Sequence, residues 1–256
     1  MPLRDILVSV DNSEYGRQRV DFALKLARDH GAHLTGYFTS PSAGETPVGW
    51  AGDIAESAER EFMEQLGAGG GRWLLSGEPI AEDIASYIRD CDLAVLGLGD
   101  PARELPEPQG FVVEDVVLRC GRPVLGMPIS TPPENFVTTA LVAWDGSREA
   151  ARALNDALPL LEKAKTVEIA SLGSRGGELA ARAIEHLARH GIKATEGSPE
   201  PIYPDVGDEL LRRAEAIEAD LVITGAYGHS QLAEAIFGGA SRTMFRQMLV
   251  PTLFSH

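Results

Sequence analysis

The residues of this chain that could do chemistry cluster in two short turns and one glycine pair. Asp145-Gly146-Ser147 follows the apolar run Ala140-Leu141-Val142-Ala143-Trp144, and Gly225-Ala226-Tyr227-Gly228 follows Leu221-Val222-Ile223-Thr224. After nine further residues, Gly238-Gly239-Ala240-Ser241 opens a helical pattern that ends before Pro251. Glycines let backbone N–H groups approach an anion closely, and a helix N-terminus adds unpaired N–H groups with a partial positive charge. A carboxylate at the end of the neighbouring strand stands where it could take a metal bound to that anion. The chemistry in prospect is the holding of a phosphate-bearing ligand.

Those turns need a scaffold. Short β-rich apolar runs alternate with helical patterns, which predicts parallel sheets covered by crossover helices, the α/β class. In the first half, strands are expected at residues 6–10, 33–38, 72–75, 93–96 and 124–127. Val20, Ala23, Leu24 and Ala27 repeat at helical spacing, and Gly31 stands where a left-handed terminating residue belongs. Ser130-Thr131-Pro132-Pro133 reads as a linker, after which the same order returns. Asp11 matches Asp145 at an offset of 134, while Gly97 matches Gly225 and Pro123 matches Pro251 at an offset of 128. Three anchors in one order argue for duplication, with the six-residue change absorbed between the first and fourth strands.

Here the sequence resembles the universal stress protein family in its tandem two-domain form, over nearly the whole chain. Nucleotide-binding members of that family carry a Gly-x2-Gly-x9-Gly-(Ser/Thr) motif. Its counterparts here are Gly225, Gly228 and Gly238, with Gly239 at the hydroxyl position and Ser241 two places on. The family's strand-end aspartate matches Asp145, and its adenine contact falls, by position alone, at Leu172. The resemblance implies two domains, residues 1–129 and 137–256. Each would be an open, mainly parallel five-stranded sheet with helices on both faces, of the adenine-nucleotide alpha hydrolase-like kind. It also implies an intramolecular pseudo-dimer through the final strands, residues 123–127 and 251–254, and a homodimer of tandem chains with an unidentified regulatory partner. The implied cofactor is ATP or ADP, with Mg carried on its phosphates and reached through them by Asp145. Ala240 and Arg242 join the expected contacts at the helix entry.

The two copies differ. Gly97 and Gly110 keep the spacing of Gly225 and Gly238, but Asp100 replaces Gly228, and Glu114 and Asp115 stand in place of Arg242 and Thr243. Two carboxylates at a helix start complement its dipole and repel a polyphosphate, so one competent site per chain is expected, in the second half.

Plainer readings stand beside these. Asp-Gly-Ser is also an ordinary turn with Ser147 as helix cap, and taken alone that is the commoner role; with the glycines and the fold, the ligand role leads. His229 is either a phosphate donor or a solvated loop histidine. His186 and His190, four apart, make half a metal site with no third ligand, which favours a solvated helix face. Arg242, in the first turn, is a better phosphate partner than Arg246, and Cys91 and Cys120 read as small core residues. No P-loop, nucleophile elbow or zincin helix is present, and the H-x-G-H turn of related nucleotidyltransferases is replaced by Asp11-Asn12 and Asp145-Gly146. Any ATP hydrolysis would rest on metal and positioning and be slow.

Composition sets the outer bounds. The chain has 256 residues, 44% hydrophobic and 24% charged, which describes a folded globular protein with room for two domains. Its net charge of −15 argues against nucleic acid and anionic membranes as partners. Two separated cysteines and no export signal suggest the cytoplasm. The expected function is a cytoplasmic stress-response protein binding ATP or ADP in its second half as a regulatory ligand. The alternative is a nucleotide-independent interaction or small-molecule-carrying protein.

Overall fold

The computed structural model describes residues 2–39, 50–67, 69–77, 80–99, 112–129, 136–171, 176–197, 206–226, 244–245 and 247–256. The chain divides into two compact units, residues 2–132 and 133–256. The stretch 130–133 and the segment Pro41–Gly49 lie outside the described residues.

The first unit runs β1 (Asp5–Val10), α1 (Glu14–His30), β2 (His33–Thr39), α2 (Trp50–Leu66), β3 (Gly71–Ser76), α3 (Ala81–Ile88), β4 (Leu93–Gly97), α4 (Val113–Cys120) and β5 (Val124–Met127). Its five strands are parallel, in the order β3-β2-β1-β4-β5. They coincide with the five runs expected from the sequence to within a residue at either end. Right-handed crossovers that step outward and then return place α1 and α2 on one face and α3 and α4 on the other. In the structure α1 packs beside α2, and α3 beside α4. Covered on both faces, β1 can carry an unbroken apolar run, and Ile6, Leu7 and Val8 are completely buried. Helix α1 starts where Ser13 Oγ accepts from Gly16 N at 2.9 Å, and it ends at Gly31, left-handed at φ 64°.

The second unit runs β6 (Thr139–Trp144), α5 (Arg148–Asp156), α6 (Leu158–Leu161), β7 (Thr166–Ser171), α7 (Gly176–Arg189), β8 (Ala194–Glu196), α8 (Val206–Ala216), β9 (Leu221–Gly225) and β10 (Thr252–Ser255). Its strands are again parallel, ordered β8-β7-β6-β9-β10. The buried carboxylate of Glu168 on β7 accepts from Nε and Nη2 of Arg213 on α8, one bond to each oxygen.

The same joint closes each unit at the amino ends of its strands. Asp92 Oδ2 accepts from Arg4 N at 2.7 Å and from Asp5 N at 3.1 Å; Asp220 Oδ2 accepts from Thr138 N at 2.7 Å and from Thr139 N at 3.3 Å. The two aspartates are 128 residues apart and the amides they hold are 134 apart, so one contact carries both offsets. Strand pairing resolves the change between them. Equivalent positions are Asp5 and Thr139, His33 and Thr166, Gly71 and Ala194, then Leu93 and Leu221. The offset therefore drops by one, then by ten, and recovers by five. The connection after the second strand is shorter in the second unit, and the one after the third strand is longer.

Asp220→Ala leaves two strand-entry amides without their acceptor and should destabilise the second unit by about 1–3 kcal/mol. Asp220→Asn keeps an acceptor and should cost less. Burial raises the Asp220 pKa against the opposing bonds from Thr138 and Thr139. The folded chain therefore holds this proton more tightly than the unfolded one. Wild-type stability should fall relative to Asp220→Asn as the pH rises from the ordinary carboxylate range through that raised value, which urea melts across pH check.

Candidate functional site

In each unit the chain leaves the first strand in one direction and returns to lay the fourth strand on its other side. Open α/β sheets bind ligands outside the carboxyl ends of the strands at such a reversal, because the flanking helices diverge to opposite faces there. In the second unit the reversal lies between β6 and β9, where Val142 pairs with Ile223. Three residues past Val142 stands Asp145; two past Ile223 stands Gly225. The register thus brings together the two turns that the sequence singled out.

The β6–α5 turn is built tightly. Asp145 Oδ1 accepts from Ser147 N at 2.8 Å, and Ser147 Oγ accepts from Ala150 N at 3.1 Å as the cap of α5. The plainer turn-and-cap role is therefore filled. Gly146 adopts φ 76°, a left-handed conformation that favours glycine, and the tip of Leu179 lies 3.1 Å from where a Cβ would stand. Trp144 Nε1 donates to Leu179 O at 3.0 Å and ties the end of β6 to α7. A Cβ on Gly225 would lie 2.6 Å from Ala150 N. Bare backbone at Gly225 is what lets the first turn of α5 press against the end of β9. The end of β9 is held in turn by β10: Ala226 N donates to Ser255 O at 2.8 Å, and His256 Nδ1 lies 2.9 Å from Ala226 O.

One charge near this turn was not anticipated from the sequence. Glu149, in the first turn of α5, is buried at 6% exposure and accepts from Arg148 Nε at 3.0 Å. Its place in the first unit belongs to Tyr15 at the 134-residue offset, and that mismatch was the available signal.

The first unit repeats the turn with different occupants. Asp11 Oδ1 accepts from Ser13 N at 2.8 Å, as in the second unit, but its other oxygen is bound by the guanidinium of Arg19. Arg19 is 2% exposed and also donates from Nε to Ser9 O at 2.8 Å. Sequence reasoning passed over Arg19, since an arginine on an amphipathic helix normally reads as surface. Glu114 and Asp115 lie in the first turn of α4, at the carboxyl end of the same sheet.

Of the residues expected to contact a ligand, Asp145 and Gly225 are the ones described. Leu172, Gly228, His229, Gly238, Gly239, Ala240, Ser241 and Arg242 lie outside the described residues, as do Asp100, Gly110 and Arg246. Of the expected site the described part shows a carboxylate at the end of β6 and, beside it, a glycine at the end of β9 whose missing side chain is taken up by the first turn of α5. His186 and His190 meet edge to face on α7, with ring centroids 4.8 Å apart, and no metal-sized group of three ligating side chains occurs among the described residues. Cys91 and Cys120 are buried, and burial pushes the Cys91 thiol up to about 12.

No family model and no curated protein matches the chain. Among solved structures, a universal stress protein from Archaeoglobus fulgidus DSM 4304 is similar at 20% identity and TM-score 0.74, over 98% of this chain and 95% of that one. A protein of unknown function from Pseudomonas aeruginosa PAO1 is similar at 16% identity and TM-score 0.62, over 99% of this chain and 92% of that one. The chain is thus an open α/β protein of the adenine-nucleotide alpha hydrolase-like class. More narrowly, its fold is that of the universal stress proteins, in the tandem form with two copies in one chain.

Gly225→Ala places a methyl group against the backbone of α5 and should destabilise the second unit by about 1–3 kcal/mol through overpacking. Chemical denaturation of the variant beside wild type checks this.

Proposed function

We propose that this chain is a universal stress protein whose second unit binds ATP or ADP, with Mg on the phosphates, as a regulatory ligand. The observation that carries the proposal is the meeting of Asp145 and Gly225 at the strand-order reversal between β6 and β9. In this reading Asp145 faces the cation carried by the phosphates. Gly225, Gly228, Gly238 and Gly239 are the glycines offered to the phosphates, with Ala240, Ser241 and Arg242 as the further contacts read from the sequence. His229 supplies a further donor, and Leu172 borders the base. No general base or nucleophile is assigned, so hydrolysis would be slow at most. The proposal extends to a homodimer of tandem chains working in the cytoplasm with a regulatory protein partner. No helix among the described residues is long and apolar enough to cross a membrane.

A second reading, a nucleotide-independent interaction or carrier protein, is favoured by one observation. The buried Glu149 carboxylate sits in the first turn of α5 and adds negative charge where a phosphate would approach.

The two readings part on simple measurements. Denaturing the purified protein should release adenine nucleotide identifiable by mass spectrometry, and MgATP should raise the melting temperature of nucleotide-free protein. Asp145→Ala and Gly228→Asp should each abolish that rise, while Asp11→Ala should leave it intact. Absence of both released nucleotide and thermal shift would overturn the proposal in favour of the second reading.

A further inference from the structure

We propose that the first unit carries a small-molecule site in a cleft between the ends of α1 and α2, which takes an apolar chain bearing one carboxylate, with Arg28 as the partner of that carboxylate. The cleft lies at the amino ends of β2 and β3, the opposite end of the first sheet from the Asp11 turn. The proposal therefore stands apart from the nucleotide reading.

The cleft has a volume of about 350 Å³, at the small end of the ~300–1,000 Å³ of ligand pockets. Its apolar walls are Leu24 and Ala27 from α1, Leu34 from β2 and Leu66 from α2, all of them buried. Glycines make the room. Both helices stop at left-handed glycines, Gly31 at φ 64° and Gly67 at φ 60°, and the chain enters β3 through Gly69-Gly70-Gly71. Gly71 has to be bare, because a Cβ there would lie 2.5 Å from both Leu34 O and Leu66 Cδ2. Gly70 does not: it is not left-handed, and a Cβ would meet His33 Cδ2 at an ordinary 3.7 Å. A side chain missing where packing would accept one leaves the cleft open.

The ionisable groups that line it are both basic. The whole chain has 38 acidic against 23 basic side chains, yet the described lining includes Arg28 and His33 and no Asp or Glu. Arg28 reaches from α1 to α2, where Nη2 donates to Gln65 O at 3.1 Å. That bond uses one of the five donors of a group charged at any ordinary pH. Arg4 Nη1 approaches the same corner, 3.7 Å from where a Cβ on Gly31 would stand. His33 is the lesser partner, since its Nδ1 lies 3.8 Å from Asp5 Oδ1. Helix carboxyl ends favour cations, but carbonyls at these two ends already accept bonds. Ala32 N donates to Ala27 O at 2.9 Å, and Gly67 N and Gly69 N donate to Met63 O and Leu66 O, each at 3.1 Å. A planar carboxylate on an apolar body matches such a site, because the guanidinium fork fits it and the walls cover the rest.

The test uses full-length protein and sodium octanoate, followed through the backbone amide signals of residues 27–34 and 66–71. Octanoate should shift these signals saturably and leave those of the second unit in place. Affinity should rise from butanoate to octanoate by up to about fourfold for each CH2 buried. Octylamine, with the same chain and the opposite charge, should bind about tenfold more weakly than octanoate. Arg28→Met should weaken octanoate binding by about tenfold, the scale of a lost charge-assisted hydrogen bond, and Arg28→Lys should lose less. Gly70→Phe, which adds bulk beside His33, should weaken it too. The proposal is overturned by the absence of saturable shifts at these residues, by shifts spread evenly over both units, or by octylamine binding as tightly as octanoate. Octanoate binding unchanged in Arg28→Met or in Gly70→Phe overturns it as well. If Arg28→Met does not fold, octanoate against octylamine on wild type decides the role of the charge.

Discussion

The reversal of strand order beside β6 is the constraint on which the rest of the second unit depends. A parallel sheet whose crossovers all have one hand sends its helices to opposite faces at that point, and the strand ends between them stay open. The local features described there serve the close meeting of β6, β9 and α5. Gly225 has no side chain because α5 begins against it. Gly146 is left-handed because the chain must turn sharply enough to start α5 there. Ser147 caps the helix and Asp145 braces the turn, so the turn is held by its own hydrogen bonds.

The same reversal exists between β1 and β4, and the two units share one frame while differing in what surrounds the strand-end aspartate. The strand-end aspartate, the serine cap and the bond from the serine amide to the aspartate are common to both. What differs is the next layer inward: glycine and arginine in α1, two alanines in α5. Two equivalent turns recur on sheets of the same order, and within the helical turn that follows each they carry different residues.

Much of the frame was legible because the physics is local and repetitive. Strands covered on both faces show as apolar runs, and Gly31 and Ser147 announced a helix end and a helix start by residue type. Asp145 and Gly225 stood out because an aspartate and a glycine recur in register at the strand ends of both copies; the structure adds that one braces a turn and the other admits the start of α5. Arg19 and Glu149 were not legible in the same way. A charged residue on an amphipathic helix looks solvated until the fold turns it inward, and only alignment of the two copies, Arg19 against Ala153 and Tyr15 against Glu149, would have exposed them. The clamps made by Asp92 and Asp220 were equally silent, since each joins residues more than 80 positions apart. The three-step offset was hidden because length changes in surface connections leave no mark on the apolar pattern.

One half of the chain, the second, is proposed to take an adenine nucleotide. Isothermal titration of nucleotide-free, full-length protein with MgATP tests it most directly. The predicted result is saturation at one nucleotide per chain, lost in Asp145→Ala and retained in Asp11→Ala. Saturation at two per chain, or loss of binding on changing Asp11 while Asp145→Ala still binds, would contradict it.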